Sequence, residues 1–559
     1  MTRRPPEELI QPDIVFERIL RIVFFLFLSI LGLSSLLMIM GYDQLHMHYL
    51  CLRMTAWGLL PYRDAYDFQF YGIYLYHLLI QTLFGYSDLG FRIFDLVNSI
   101  VVCISLYYFL KKLVPRIHDA TTYLILILWT AYYYGLGWWW TGQREIFLLP
   151  YILWSFYFYK KAADDGKWFN ALVSGLLSGF AFFIKPFAGL YLPLFVLIHL
   201  VCNYPYANPI KLRLKIAVLS GAGFLLTVST FALHLQSLGI LKNFLNDSMM
   251  LAIEFKRIGF PFLTNLYHVF FQYGPEINAY YILIYKVFYA APIFISIIFI
   301  LSKIVKKNFR DYFAISFLFI TSLTLIIIQK NGNVTNHHIP LICFKSIAAI
   351  LCIREWYDKL ISFSSVKRHI SNTTLQRLSK LVLSMTVIFL SIPPFIFGFD
   401  EYTRNYVMGK ITLDRLQSTK YPQKIDEDNV VKYIKNESGI DLGKDRILNF
   451  NFSPYVPYHA RANTMDKFID NSFFYMIPRD SVLYKRLYNE FIDAFRAKPP
   501  AMIIVIKNDT TWSTRTCFND WTNSYNELMK IDAIKKQIKE KYRVAMENDS
   551  LVVFQLKKI

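Results

Sequence analysis

Acidic residues are scarce in this chain of 559 residues, which has 40 Asp and Glu against 60 Lys and Arg and a formal net charge of +20. Charge of either sign is thin at 18%, while 55% of residues are hydrophobic. A soluble domain carries about 25% charge and 45–50% apolar residues, so an ordinary soluble enzyme is excluded. Cysteine is sparse too, with six residues at 51, 103, 202, 343, 352 and 517. None forms a CxxC pair, which excludes a zinc ribbon or a thiol redox motif. Cys51 and Cys517 both fall on the outer side, and nothing in the sequence marks them as paired. Internal repeats and low-complexity segments are absent. No small-residue cleavage site follows the first apolar stretch, so Leu20–Met40 reads as a first membrane span rather than a leader peptide.

What is present is apolar runs and aromatics. Phe, Tyr and Trp make up 18% of the chain, as lipid-facing helices and interfacial belts require. Runs long enough to cross a bilayer, or nearly so, occur at Leu20–Met40, Ile93–Leu110, Thr121–Trp140, Ile146–Tyr159 and Trp168–Ile184. Others follow at Phe187–Cys202, Ile216–Gln236, Leu283–Ser302, Tyr312–Gln329, Ile339–Ile353 and Leu381–Phe399. The reading is mainly α: a polytopic transmembrane helical bundle of about eleven spans, followed by a C-terminal soluble α/β domain.

Basic clusters recur in alternate loops, at Arg3, Arg4 and Arg18, at Lys111, Lys112 and Arg116, at Lys160, Lys161 and Lys167, and at Lys211, Arg213 and Lys215. Lys303, Lys306, Lys307 and Arg310 follow, then Arg354, Lys359, Lys367, Arg368 and Arg377. Such alternation places the N-terminus, residues 1–19, in the cytoplasm. It also accounts for the positive charge without nucleic acid as a partner. An odd span number then puts residues 400–559 in the periplasm or outside, and the chain in the inner (plasma) membrane. Phe70–Phe84 is too short to cross, and a crossing there would move Lys111, Lys112 and Arg116 outside. Residues 41–92 therefore form one long outer loop of the membrane domain 20–399, with surface helices near Leu45–Gly58 and Phe70–Phe84. The segment from Ser237 to Tyr281 reads as a second outer loop of amphipathic pieces. In the tail, helices are expected at Asp428–Lys435, Ser481–Ala497 and Tyr525–Tyr542, and strands at Ile447–Phe450, Met502–Ile506 and Leu551–Gln555.

Polar groups gather at the outer helix ends, where each needs a reason. Asp43 follows the first span and suits a general base for an acceptor; the alternative is a helix N-cap. His46 shares a helical face with Asp43 and Arg53, whereas His48 points away, which disfavours a joint metal site. Arg63, Asp64 and Asp67 offer a phosphate grip and two carboxylates, or else a local Arg–Asp pair. Arg144 and Glu145 end a short Trp-rich loop. Lys185, Lys286 and Lys345 lie near membrane depth, as do Asp95, His337 and His338. Cations there suit a lipid phosphate; the alternative is paired structural charge.

The segment from Gly41 to Arg92 resembles the first outer loop of GT-C glycosyltransferases, a superfamily that includes protein O-mannosyltransferases and the lipid A aminoarabinose transferase. An acidic residue (Asp43), the stretch Gly58 to Asp64, an interfacial helix ending in Phe84-Gly85 and an opening Arg92 follow its pattern. Gly175 to Pro186 and His337 to Leu341 resemble later segments. Gln44 stands where the superfamily often has Glu, and Phe70-Tyr71-Gly72 where it often has a double Pro. The resemblance implies transfer of a sugar from a polyprenyl-phosphate donor to a lipid, polysaccharide or protein acceptor outside the cytoplasm, with inversion. Asp43 would be the base. Arg63, Arg92, Lys185 and Lys345 would hold the lipid phosphate. Asp64, Asp67, Arg144, Glu145, His337 and His338 would position sugar or acceptor. A divalent cation is allowed but not required. The competing expectation is a flippase of lipid-linked glycans, which ought to show repeated halves and midplane polar residues.

Overall fold

The computed structural model describes residues 14–114, 117–203, 205–257, 262–270, 279–305, 312–328, 335–362, 372–421, 423–507 and 523–557. Of the basic clusters, Arg3, Arg4, Arg116, Lys306, Lys307, Arg310, Lys367 and Arg368 lie outside these residues, as does Cys517. Cys51 is a free, buried thiol.

Helices dominate up to residue 398. They are α1 (Ile14–Ser35), α2 (Tyr42–Trp57), α3 (Tyr71–Phe84), α4 (Asp88–Leu113), α5 (Asp119–Tyr134), α6 (Arg144–Asp165), α7 (Trp168–Ile184), α8 (Tyr191–Cys202) and α9 (Ile210–Ser237). After them come α10 (Leu241–Asn243), α11 (Met249–Arg257), α12 (Phe262–Phe270), α13 (Ala279–Val305), α14 (Phe313–Ile328), α15 (Ile339–Ser362) and α16 (Asn372–Gly398). Every expected span falls on one of these helices. Among the described residues, three are long and apolar enough to cross a bilayer alone: Asp88–Leu113, Ile210–Ser237 and Val287–Val305. A bent pair, Leu381–Ile396 with Glu401–Val407, would make a fourth. The count of about eleven is therefore not reached by length and composition.

The first expected span needs correction. Its helix stops at Ser35, not Met40. Ser34 and Ser35 turn their hydroxyls back onto the carbonyls of Leu31 and Gly32, each at 2.7 Å. Residues 39–41 then run without helical structure, and the amide of Met40 donates to Asp88 Oδ1 at 2.7 Å. The two surface helices appear close to where the pattern places them, as α2 and α3. Gly58 ends α2 in the left-handed conformation, with φ +65°, which costs a side-chain-bearing residue about 1 kcal/mol or more.

Helices α7 and α9 cross at unusually short range. A Cβ on Gly175 would stand 1.9 Å from the Ser220 carbonyl oxygen, and one on Gly223 would stand 2.2 Å from that of Leu172. Ser220 Oγ and Thr227 Oγ1 donate across this contact to Ala171 O (3.1 Å) and Leu176 O (3.2 Å). Small residues let two membrane helices approach this closely. Backbone cannot yield as a flexible side chain would. Gly175→Val is therefore expected to destabilise the protein at or beyond the upper end of the roughly 1–3 kcal/mol typical of overpacking. Thermal unfolding in detergent, read against the wild type, checks this.

The tail is an α/β unit. Its sheet has five strands, β1 (Arg446–Phe450), β2 (Asn463–Thr464), β3 (Met502–Ile506), β4 (Tyr542–Glu547) and β5 (Leu551–Leu556). They lie in the order β2-β1-β3-β5-β4, parallel from β2 to β3 and antiparallel thereafter. Side chains alternate between two faces. Leu448, Phe450, Ile503 and Val505 pack with Leu487, Phe491 and Phe495. Ile447, Met502 and Ile504 pack with Val430, Val431 and Ile434 on the other side. Two strands escape the sequence pattern. β2 is only two residues long, and β4 follows a helix that ends sooner than expected. The expected helix Tyr525–Tyr542 is in fact two, Ser524–Met529 and Asp532–Lys541.

The tail does not float free of the helices before it. Tyr421, Tyr455, Tyr458 and Ile469 belong to the same buried core as the preceding bundle. Tyr42 at the start of α2 packs edge-on against Trp139, Tyr421 and Phe452.

Candidate functional site

Helix α2 is the rail of the site. Asp43 sits in its first turn, partly buried. Burial pushes its carboxyl up from the ordinary 3.8; the cations Arg144 and His46 oppose the shift, and Glu145 and Asp67 add to it. Its neighbour Gln44 donates from Nε2 to the carbonyls of Trp139 and Thr141, at 3.0 and 2.8 Å, which sets the start of α2 against the loop leading into α6. Asp43 does not cap its helix through the side chain: the N-cap position is Gly41.

Glu145, in the first turn of α6, is buried with 1% of its surface exposed. Lys185, at the end of α7, donates from Nζ to its Oε1. His337 Nε2 lies 3.8 Å from the same oxygen. Burial and the Lys185 charge hold His337 well below the ordinary imidazole range, so it is neutral at pH 7. Four segments far apart in sequence therefore meet at one place: the starts of α2 and α6, the end of α7, and the short turn Thr335–His338 before α15.

Lys345 lies deeper. It is fully buried, with Nζ 3.2 Å from the Tyr289 carbonyl oxygen, to which it donates. Its Nζ stands over the rings of Tyr289 and Tyr132, at 3.1 and 4.5 Å from their centroids. Aromatic faces attract a cation without neutralising it. Among the described residues no carboxylate lies within ion-pair distance of it. His338 Nδ1 is 2.8 Å from Tyr289 Oη in the same group.

Asp67 is buried and accepts hydrogen bonds from the amides of Phe68 (2.6 Å) and Gln69 (3.1 Å) and from Tyr74 Oη. His46 stands between Asp67, 3.6 Å away, and Asp470 of the tail, 2.9 Å away. Burial disfavours its charge, but hydrogen bonds to Asp470 and Asp67 outweigh that and push it up to about 10. His46 and Asp470 line, with Tyr66, Phe68, Phe468 and Phe473, a cleft of about 500 Å³ that opens to solvent. Asp470 has no motif around it in the sequence. Only the docking of the tail brings it here.

Two expected phosphate ligands are placed otherwise. Arg63 lies on an exposed turn and donates from Nε and Nη2 to its neighbour Asp64, at 2.9 and 2.7 Å. Asp64 also accepts from the Leu60 amide at 2.8 Å. The pair is local, as one of the two sequence readings had it. Arg92 is fully buried. Its guanidinium donates to the carbonyls of Ile39 and Trp138 and to Thr141 Oγ1. It ties the end of α1 to the Trp138–Thr141 loop. Among the described residues, no group of three or more His, Cys, Asp or Glu is arranged to hold a metal ion. His48 turns from His46 and pairs instead with His77, Nδ1 to Nδ1 at 2.6 Å.

Residues 72–234, under a third of the chain, match the family described as dolichyl-phosphate-mannose-protein mannosyltransferase. Among solved structures, ArnT from Cupriavidus metallidurans in the apo state is similar at TM-score 0.58 and 11% identity, over 95% of this chain and 97% of that one. The same protein bound to undecaprenyl phosphate gives TM-score 0.53 at 12% identity, over 97% of each chain. No curated protein sequence matches. The structural likeness shows that the chain shares the fold of ArnT. Its sequence likeness, from α3 to α9, is to the dolichyl-phosphate-mannose-protein mannosyltransferases.

Proposed function

We propose that this protein transfers one sugar from a polyprenyl-phosphate carrier to an acceptor on the outer face of the membrane. The reading rests on one observation above others. A partly buried carboxylate (Asp43) lies beside Gln44, whose side chain holds the start of α2 to the loop leading into α6, and a buried cation (Lys185) pairs with Glu145 in the first turn of α6, within a fold shared with ArnT, which was solved with undecaprenyl phosphate bound.

In the reaction, Asp43 takes the proton from the acceptor hydroxyl or amine. The freed electron pair attacks the anomeric carbon, and the bond from that carbon to the phosphate oxygen breaks. The electron pair of that bond leaves with the lipid phosphate. A single displacement of this kind inverts the anomeric centre. Lys185, with Lys345 deeper in α15, stabilises the charge growing on the phosphate. Arg144, Glu145 and His337 frame the sugar between base and phosphate, and Asp67 and His338 support them. Arg63, Asp64 and Arg92 take no part. A bundle of about eleven spans over residues 20–399, cytoplasmic residues 1–19 and an outer domain at 400–559 give the site this side of the membrane; the alternating basic loops support that orientation.

Mass analysis of envelope glycans in cells lacking this protein tests the reading. One glycan or glycolipid is expected to lose a single sugar while carrier-linked sugar accumulates. An unchanged glycan profile would overturn it.

A further inference from the structure

Residues 462–470 of the tail lie along one face of α2. Tyr49 Oη donates to the Ala462 carbonyl at 2.8 Å, and Arg53 Nη2 to that of Asp466 at 2.8 Å. The Tyr66 amide donates to the Lys467 carbonyl at 3.1 Å. His46 Nδ1 meets Asp470 Oδ2 at 2.9 Å. Residues 46, 49 and 53 are successive positions on one helical face, and Asp43 is the position one turn before them. The strip that docks the tail therefore continues directly into the proposed base.

Asp470 is itself buried, with 6% exposure. It also accepts from the Ser472 amide at 2.8 Å, which fixes its carboxylate. The second ring nitrogen of His46 points to Asp67, 3.6 Å away, whose carboxylate is fixed in turn by Tyr74 and two backbone amides. Both carboxylates are held by groups other than His46, so the ring orientation is set from both sides.

We infer that Asp470 is a positioning residue of the transfer site: it hydrogen-bonds one ring nitrogen of His46 while the other faces the Asp67 carboxylate, and so sets the polar surroundings of Asp43 from the tail domain. The inference rests on the reading of Asp43 as the base. The physical route is short. With a hydrogen-bonded carboxylate on one side and a second carboxylate 3.6 Å away on the other, His46 stays an imidazolium at neutral pH. An imidazolium one turn from Asp43 favours the ionised carboxylate, opposing the burial that works against it. The other charged groups facing Asp43 are Arg144 and Glu145 from α6 and Asp67 from the outer loop. Lys467 lines the same cleft as His46. Removing the Asp470 charge leaves these in place and loosens only the His46 proton.

Two measurements test this on the full-length protein in lipid nanodiscs. The first is the pH dependence of His46 modification by diethylpyrocarbonate, read by peptide mass spectrometry, since only the neutral imidazole reacts. Wild-type His46 is expected to stay unreactive until the pH nears 10, and in Asp470→Asn, where burial is no longer outweighed, the onset falls below the ordinary 6.5, so that the ring has lost its charge over the upper part of the acid limb. Wild-type modification with a midpoint near the ordinary 6.5 would overturn the inference even if no variant folds. The second is the pH profile of sugar transfer. The acid limb is expected to shift to higher pH in Asp470→Asn and to return in Asp470→Glu. A uniform fall in rate with the limb unmoved would mean a structural role only, and would overturn it. Absence of transfer by the wild type, with His46 titrating near pH 10, would count against the proposed function instead.

Discussion

Asp43→Asn is expected to lower sugar transfer by about 10²–10⁴-fold, the range that a positioned general base supplies. Asn keeps the shape and a carbonyl oxygen but cannot accept the proton. Binding of undecaprenyl phosphate should be unchanged, because the phosphate is assigned to Lys185 and Lys345. Transfer by the wild type should also fall on the acid side. Burial raises the Asp43 carboxyl above the ordinary 3.8 despite Arg144 and His46. A base must be deprotonated to act, so the rate is full above the folded value and is lost as the pH falls through it. The acid limb should therefore sit higher than that of an exposed carboxylate. Turnover assays across pH, with lipid binding by native mass spectrometry, check both parts. Wild-type turnover in Asp43→Asn would remove this residue from the chemistry.

Lys185→Met is expected to have two separable effects. Lys185 and Glu145 form a buried ion pair, with side-chain exposures of 10% and 1%. Removing Lys185 takes away the cation hydrogen-bonded to a buried carboxylate, at a cost of up to about 3–5 kcal/mol. A marked drop in thermal stability follows. Pairing Lys185→Met with Glu145→Gln removes the carboxylate charge, and stability should recover most of the way. Binding of undecaprenyl phosphate should not recover, because the cation that meets the phosphate is still missing. Thermal unfolding and lipid binding, measured on both single variants and the double variant, separate the two effects. Wild-type lipid affinity in the double variant would show that Lys185 serves the fold alone.

Much of the architecture was legible from hydrophobic runs. Every expected span contains a helix, although α1 stops at Ser35 and α5 at Tyr134, because a run of apolar residues with intact helix propensity folds the same way in most surroundings. The surface helices α2 and α3 were legible as well, since mixed polarity and short length set them apart from spans. The strands expected at Met502–Ile506 and Leu551–Gln555 were found as continuous apolar runs, whereas β2 is too short for any pattern to register. The end of α1 was missed because its side chains remain apolar through Met40. What stops it is hydrogen bonding by Ser34, Ser35 and Asp88, and Asp88 lies 48 residues from the Met40 amide that it accepts.

The site divides in the same way. Asp43, Glu145, Lys185, His337 and Lys345 stood out in the sequence because charge near an apolar run is costly and needs a reason. Arg63 and Arg92 stood out on the same ground, yet one closes on Asp64 and the other ties loops together. Composition marks a charge as expensive without showing what compensates it. Asp470 gave no sign at all, being an ordinary acidic residue in a polar tail. By itself, the sequence determined which segments are helical and which charges are out of place. Only the tertiary structure decided which of those charges share a neighbour, because partner choice depends on contacts spanning hundreds of residues, such as His46 with Asp470, and local periodicity carries no record of them.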